Sequence, residues 1–349
     1  MKRQKLTFRK TSRKTKFSER GHYLLPPNSN QNQISYLSDH SSNIAAPFWN
    51  WLRLRPMRRI LYPMDIVCLI YLKIMLLLSL IYRQNLENDT ALIMPHLLFL
   101  LGTYLIIIFR QSCPQNRYLF ILGIIYPVAI IAFGWNSLSQ LVPLIYGNYW
   151  ATSWVVTFDK FLFGTYPTIW CEQFYRPWLD ECMNVFYSGY YLFMPLTLLT
   201  LLIKRKHAYL IYALSLASFT YLGSYILYCI FPTLGPSMTP EITELSSQSH
   251  SGYLFSAITR WIQSGGSVIG AAFPSSHVAG SVIWTVIALK IRRPIGIFLT
   301  LMTPGIAIST VYLGYHHAID PLSGMIWGFL SYKLVEPTCK HLINPQNIS

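Results

Sequence analysis

Two short stretches hold the residues best suited to chemistry. One reads Phe273-Pro274-Ser275-Ser276-His277; the other runs Ser309-Thr310 and, five residues on, His316-His317-Ala318-Ile319-Asp320. An imidazole can act as nucleophile or general base near neutral pH, and a carboxylate beside it fixes its tautomer and raises its basicity. Asp320 follows His316 by four residues, which puts both on one helical face. Ahead of His277 the stretch from Ser264 to Ala272 is rich in small residues that let backbone approach a ligand closely. Pro274 then opens a helix with Ser275 or Ser276 as its cap, and a capped helix start presents N–H groups to an anion. Together these features can hold a phosphate and offer two imidazoles to it.

Long apolar runs must position these residues. The chain has 349 residues, 52% hydrophobic and only 12% charged, about half the ~25% charge of soluble domains. That excludes an ordinary soluble enzyme, a disordered chain and a collagen-like chain, and six cysteines are too few for a disulfide framework. A helix needs about 20 mostly apolar residues to cross the hydrocarbon layer. Eight runs qualify: 64–82, 91–109, 118–137, 181–203, 208–230, 275–290, 294–313 and 317–335. The expected fold is an all-α, polytopic membrane bundle of about eight spans. His277 and His316 stand 39 residues apart, the length of two spans out and back, so both fall on one face of the membrane. Ionisable groups at membrane depth are costly and usually functional.

Charge sets the orientation. Lys and Arg total 28 against 13 Asp and Glu, for a net charge of +15. With the N-terminus in the cytoplasm, 23 of the 28 fall inside and only Arg83, Lys160, Arg176 and Arg260 fall outside, as the positive-inside rule requires. The basic excess therefore reads as orientation, not as a nucleic-acid surface. Residues 1–58 form a basic tail too polar to bury a core and are expected to be disordered and cytoplasmic. Spans fill 59–137, residues 138–180 form an aromatic-rich segment lying along the interface, 181–336 hold the catalytic membrane domain, and 337–349 form a second cytoplasmic tail. Lys73, inside the first span, is read as snorkelling or pairing with another helix. Cys171 and Cys182 both lie near the outer face, where free thiols are the simpler reading and a disulfide the alternative.

The motifs resemble the type 2 phosphatidic acid phosphatase superfamily, whose patterns are KxxxxxxRP, PSGH and SRxxxxxHxxxD. The second appears as Pro274-Ser275-Ser276-His277, the third as Ser309-Thr310, His316 and Asp320. The spacing selects His316 over His317, which is read as a packing residue. The segment Phe158-Asp159-Lys160-Phe161-Leu162-Phe163-Gly164, with Trp178-Leu179-Asp180-Glu181, looks like the inositolphosphotransferase branch, which includes inositol phosphorylceramide synthases. The resemblance spans roughly 150–336 and implies a six-helix phosphatase-like core. It further implies a metal-independent phosphohistidine mechanism without cofactor, in which His316 attacks phosphorus, Asp320 orients it, and His277 serves as acid and then base. Ser275, Ser276, Ser309 and Thr310 would line the phosphate site. The sequence departs from the pattern at Thr310 and Ser237, which stand where relatives carry arginine. Arg–phosphate pairs are strong, so Lys160, Arg176 or Arg260 would have to supply the charge. Asp159 is read as steadying the aromatic segment.

Two other chemistries fit less well. A serine hydrolase built on Ser276, His316 and Asp320 lacks the GxSxG elbow. A zinc site lacks any close ligand pair such as HExxH. The reading is a lipid phosphatase or phosphotransferase whose site opens to the periplasmic or lumenal face, in a bacterial inner membrane or a eukaryotic endomembrane. The alternative is a catalytically weak member acting as a lipid-binding or transport protein. A membrane lipid is the expected partner; acceptor and oligomeric state stay open.

Overall fold

Helix boundaries follow local signals. Proline opens several helices at their first position, where its missing N–H costs nothing, while Asn88, Asn116 and Ser275 cap others with side-chain oxygens. The computed structural model describes residues 61–343 apart from 87, 114 and 247–251, so the basic tail expected over 1–58 lies outside the described residues. In chain order the helices are α1 (Pro63–Ile81), α2 (Asp89–Ser112), α3 (Arg117–Leu141), α4 (Thr152–Phe163), α5 (Pro167–Glu172), α6 (Pro177–Ile203), α7 (His207–Ile230), α8 (Pro240–Thr243), α9 (Leu254–Gly266), α10 (Ser276–Ile291), α11 (Arg293–Tyr312) and α12 (Ile319–Ile343). Among the described residues there is no strand, only an isolated parallel bridge between Thr233 and Ala271.

All eight expected runs are helical, and the molecule is a polytopic helical membrane bundle. Among the described residues six helices, α1, α2, α3, α6, α7 and α11, are long and apolar enough to cross a membrane. The other two differ for physical reasons. α10 has 16 residues and spans about 24 Å, short of the ~30 Å hydrocarbon layer. α12 has 25 residues but carries Asp320, Lys333, Glu336 and Lys340. It continues through 337–343, residues expected to form a tail.

α7 and α10 form the centre. Both are buried around most of their circumference, the pattern of a helix enclosed by others. α7 packs against α1, α3, α10 and α12, and α10 packs against α11 and α12. The N-terminal helices are fastened by a buried network that charge counting did not reveal. Arg110, counted as a cytoplasmic orienting charge, is buried and bonds Asp65 Oδ2 at 2.5 Å and the Gly123 carbonyl at 2.6 Å, while Tyr126 donates to Asp65 Oδ1 at 2.7 Å. This joins α1, α2 and α3 where a lone buried charge would cost several kcal/mol.

The segment expected at the interface turns at residues 142–151 and then forms α4 and α5. Gly164 ends α4 in a left-handed conformation (φ 69°), which only glycine adopts freely. α4 buries Val155, Val156 and Asp159 and exposes Trp154, Phe158 and Phe161. Such an aromatic face suits the headgroup level. All six cysteines are free, so Cys171 and Cys182 are not paired. Lys73 lies 5.7 Å from the Tyr104 ring centre on α2, a cation–π contact.

Candidate active site

Ser275 caps α10, its Oγ accepting the Val278 N–H. The same hydroxyl stands 3.1 Å from His316 Nε2. On the other side of the ring, His316 Nδ1 lies 3.3 Å from Asp320 Oδ2. A carboxylate only accepts, so Nδ1–H donates to Asp320 and Nε2 keeps its lone pair, toward which the Ser275 hydroxyl donates. Nε2 is thus the unprotonated ring nitrogen. The His317 N–H also donates to Asp320 Oδ2, at 2.8 Å. The two motifs are stitched directly: Ser275 N–H donates to the Asp320 carbonyl at 3.0 Å.

The loop carrying His316 is clamped from three sides. Tyr315 and His316 N–H both donate to the Thr310 carbonyl at 3.0 Å. His317 Nε2 lies 3.0 Å from the Leu234 carbonyl, and the backbone at Gly235 approaches so closely that a Cβ there would sit 2.5 Å from the Tyr315 carbonyl oxygen. Asp159 on α4 is buried and caps α12, accepting Ala318 N–H at 2.7 Å and Ile319 N–H at 2.9 Å. Its contact is therefore with the loop that carries His316 and not only within the aromatic segment. Burial raises its carboxyl above the ordinary range, and the two N–H groups pull it back.

His277 stands 5.8 Å from His316 between ring centres. Tyr187 and Tyr191 on α6 each place a hydroxyl 3.2 Å from His277 Nε2, and Gln263 on α9 donates to the Tyr187 oxygen. Neither these tyrosines nor Gln263 falls in either motif. The one available signal was that Tyr187 and Tyr191 lie four residues apart, on one face of a helix. A small cavity of about 80 Å³ is lined by His277, His316, Tyr187, Tyr315, Ser237 and Gln263 among others. With a water's share of liquid volume near 30 Å³, this compartment suits a group of phosphate size. His316 is fully enclosed in protein, and burial pushes its imidazole down to about 4, leaving it neutral at pH 7.

Of the other predicted residues, Ser276 is buried beside His277 and its N–H bonds the Tyr228 hydroxyl at 3.2 Å. Ser309 and Thr310 spend their hydroxyls on the helix carbonyls of Ile306 and Ala307, both at 2.8 Å. The N-terminus of α10 is partly occupied, since Tyr228 and Ser275 engage the N–H groups of Ser276 and Val278. None of the three candidate cations lines the cavity. Lys160 lies over the Tyr166 ring, 5.3 Å from its centre, and Arg176 bonds the Tyr175 carbonyl at 2.7 Å. Arg260 bonds Ser256 Oγ at 2.7 Å, one turn from Gln263 on α9, and its charge acts on the Tyr315 phenol. Among the described residues no cluster suited to a metal ion occurs.

Comparison with known families agrees with the motif reading. Residues 153–334 match the PAP2 superfamily, and the chain belongs to that superfamily. No solved structure matches it.

Proposed function

We propose that this protein is a membrane lipid phosphatase or phosphotransferase working through a phosphohistidine at His316. The observation that carries the reading is the chain Ser275–His316–Asp320, at 3.1 and 3.3 Å, with His277 lining the same phosphate-sized cavity. Family membership supports phosphoryl chemistry on phosphorylated lipids.

In the first step Nε2 of His316 attacks phosphorus. A P–N bond forms as the bond to the leaving oxygen breaks, and His277 delivers a proton to that oxygen. Asp320 holds the Nδ1 proton and balances the positive charge on the imidazole. In the second step His277 takes a proton from water or an alcohol, whose oxygen forms a new P–O bond as the P–N bond breaks. Water yields a phosphatase; a lipid or polyol hydroxyl yields a transferase, and the inositolphosphotransferase-like segment around Asp159 favours a polyol-bearing substrate. Metal need not enter either step. Arg260 is the best placed of the outer cations to steady the phosphoryl charge, and the site faces the periplasmic or lumenal side.

Product analysis on phosphatidate and phosphatidylinositol, with and without a ceramide or diacylglycerol acceptor, tests the reading. Free phosphate or a transferred headgroup is expected from the native chain, with at least a ~10³-fold loss in His277→Ala and His316→Ala. Equal product from native and variant protein would favour the alternative, a lipid-binding or transport role on the same fold.

A further inference from the structure

A second compartment adjoins the phosphate-sized cavity. It has a volume of about 410 Å³ and shares His277, Tyr191, Trp135 and Gly266 with it. Ligand pockets fall in this size range. One wall is α3, through Val128, Ile131 and Trp135; the opposite wall is α6, through Met194 and Pro195; α7 closes the back with Tyr225. Both α3 and α6 pack on α7, yet they make no substantial contact with each other, and each carries an internal proline, Pro127 and Pro195. Trp135 Nε1–H donates to the Gly266 carbonyl at 2.7 Å, tying α9 across the top.

Several polar atoms lining this slot are already hydrogen-bonded. Tyr190 and Tyr221 bond each other at 2.8 Å, Trp284 donates to Tyr221 at 3.0 Å, and Tyr191 faces His277. What remains is an apolar slot with an imidazole at one end, whose other edge reaches the exposed Ala132. A hydrocarbon chain attached to a phosphate has that chemistry. A larger apolar cavity of about 510 Å³, between α6 and the start of α11, touches neither histidine.

We propose that the slot between α3 and α6 holds one hydrocarbon chain of the lipid substrate, acyl or isoprenyl, while its phosphate sits at His277 and His316. The inference rests on the proposed lipid chemistry and adds a division of labour. α3 lies outside residues 153–334, the segment matched to the family, so a helix from outside that segment contributes Val128, Ile131, Ala132 and Trp135 to the chain-binding wall and thereby selects the lipid.

The test uses the full chain in nanodiscs with a phosphatidate bearing a diazirine at the end of one acyl chain. Photolabelling should concentrate in peptides containing Val128–Trp135 and Tyr190–Pro195. Ala132→Trp or Val128→Trp, which fill the slot, should lower that labelling. The same variants should reduce the ratio of kcat/KM for dioleoyl over dihexanoyl phosphatidate about tenfold, the scale of discrimination by apolar pockets. Leu196→Trp, in the larger cavity, should leave the ratio unchanged. Labels scattered over α1 and α2 and indifferent to both slot variants would overturn the proposal, as would an unchanged chain-length ratio. Labelling is read without turnover. If His316→Ala proved fully active, the phosphohistidine reading would fall while the slot assignment stood on its labels.

Discussion

At the scale of residues, the site depends on a neutral imidazole held between an acceptor and a donor. Burial sets that state: His316 is pushed down to about 4, so its Nε2 lone pair is available well below neutral pH. With a phosphodiester lipid, whose own charge is constant over the range, the acid limb of kcat/KM, on which His316 gains a proton, should lie below about pH 5, apart from the basic limb on which His277 loses the proton it delivers. An acid limb centred near the ordinary histidine value of about 6.5 would contradict this. The same shift bears on stability. The unfolded chain takes up the proton below about pH 6.5 and the folded one only near 4, so the folded state loses stability as pH falls through that window. That His277, His316 and Asp320 come together was legible in the sequence from two short spacings. Tyr187 and Gln263 were not, because they reach the site across distances in sequence that no local pattern records.

At the scale of elements, Asp159 is the instructive case. It lies 157 residues before His316 in the chain, and only the packing of α4 against α12 brings its carboxylate to the N-terminus of α12. Two backbone N–H groups share it. An asparagine can accept one of them but turns an NH₂ toward the other, at a cost of about 1–3 kcal/mol. Asp159→Asn should therefore lower kcat about tenfold through the loop that carries His316, an order of loss consistent with that energy. As a positioning residue it should leave the midpoint of the acid limb unchanged. A shifted midpoint would place Asp159 in proton transfer, and an undiminished kcat would remove it from the site's support. The helices themselves were readable from apolar length, with boundaries set by Asn and Ser caps and by proline. α10 starts at the site, where Ser275 caps it.

At the scale of the whole molecule, charge counting proposes an orientation but does not show which of the counted charges are solvated. Arg110 counts as cytoplasmic, yet it is buried against Asp65, because a sequence window cannot tell a solvated arginine from one that joins three helices. The orientation itself can be tested with the protein's own thiols. Cys113, just after α2, and Cys182, near the start of α6, are both exposed, whereas Cys68, Cys229 and Cys339 are buried. In sealed vesicles with the periplasmic or lumenal face outward, a membrane-impermeant maleimide should modify Cys182 at once and Cys113 only after detergent. The reverse order would put the proposed active site on the cytoplasmic side. The slot between α3 and α6 also belongs to this scale, since it needs helices from both sides of the family boundary.

The central claim is a covalent bond between His316 and phosphorus. Its most direct measurement is rapid alkaline quenching of the enzyme with ³²P-labelled phosphatidate, followed by peptide mapping under conditions that preserve phosphohistidine. Label is expected on the peptide containing His316, lost on acid treatment, absent from His316→Ala and formed more slowly in His277→Ala, where the first step lacks its acid. Turnover of the same substrate with no label at His316, or label that survives in His316→Ala, would contradict it.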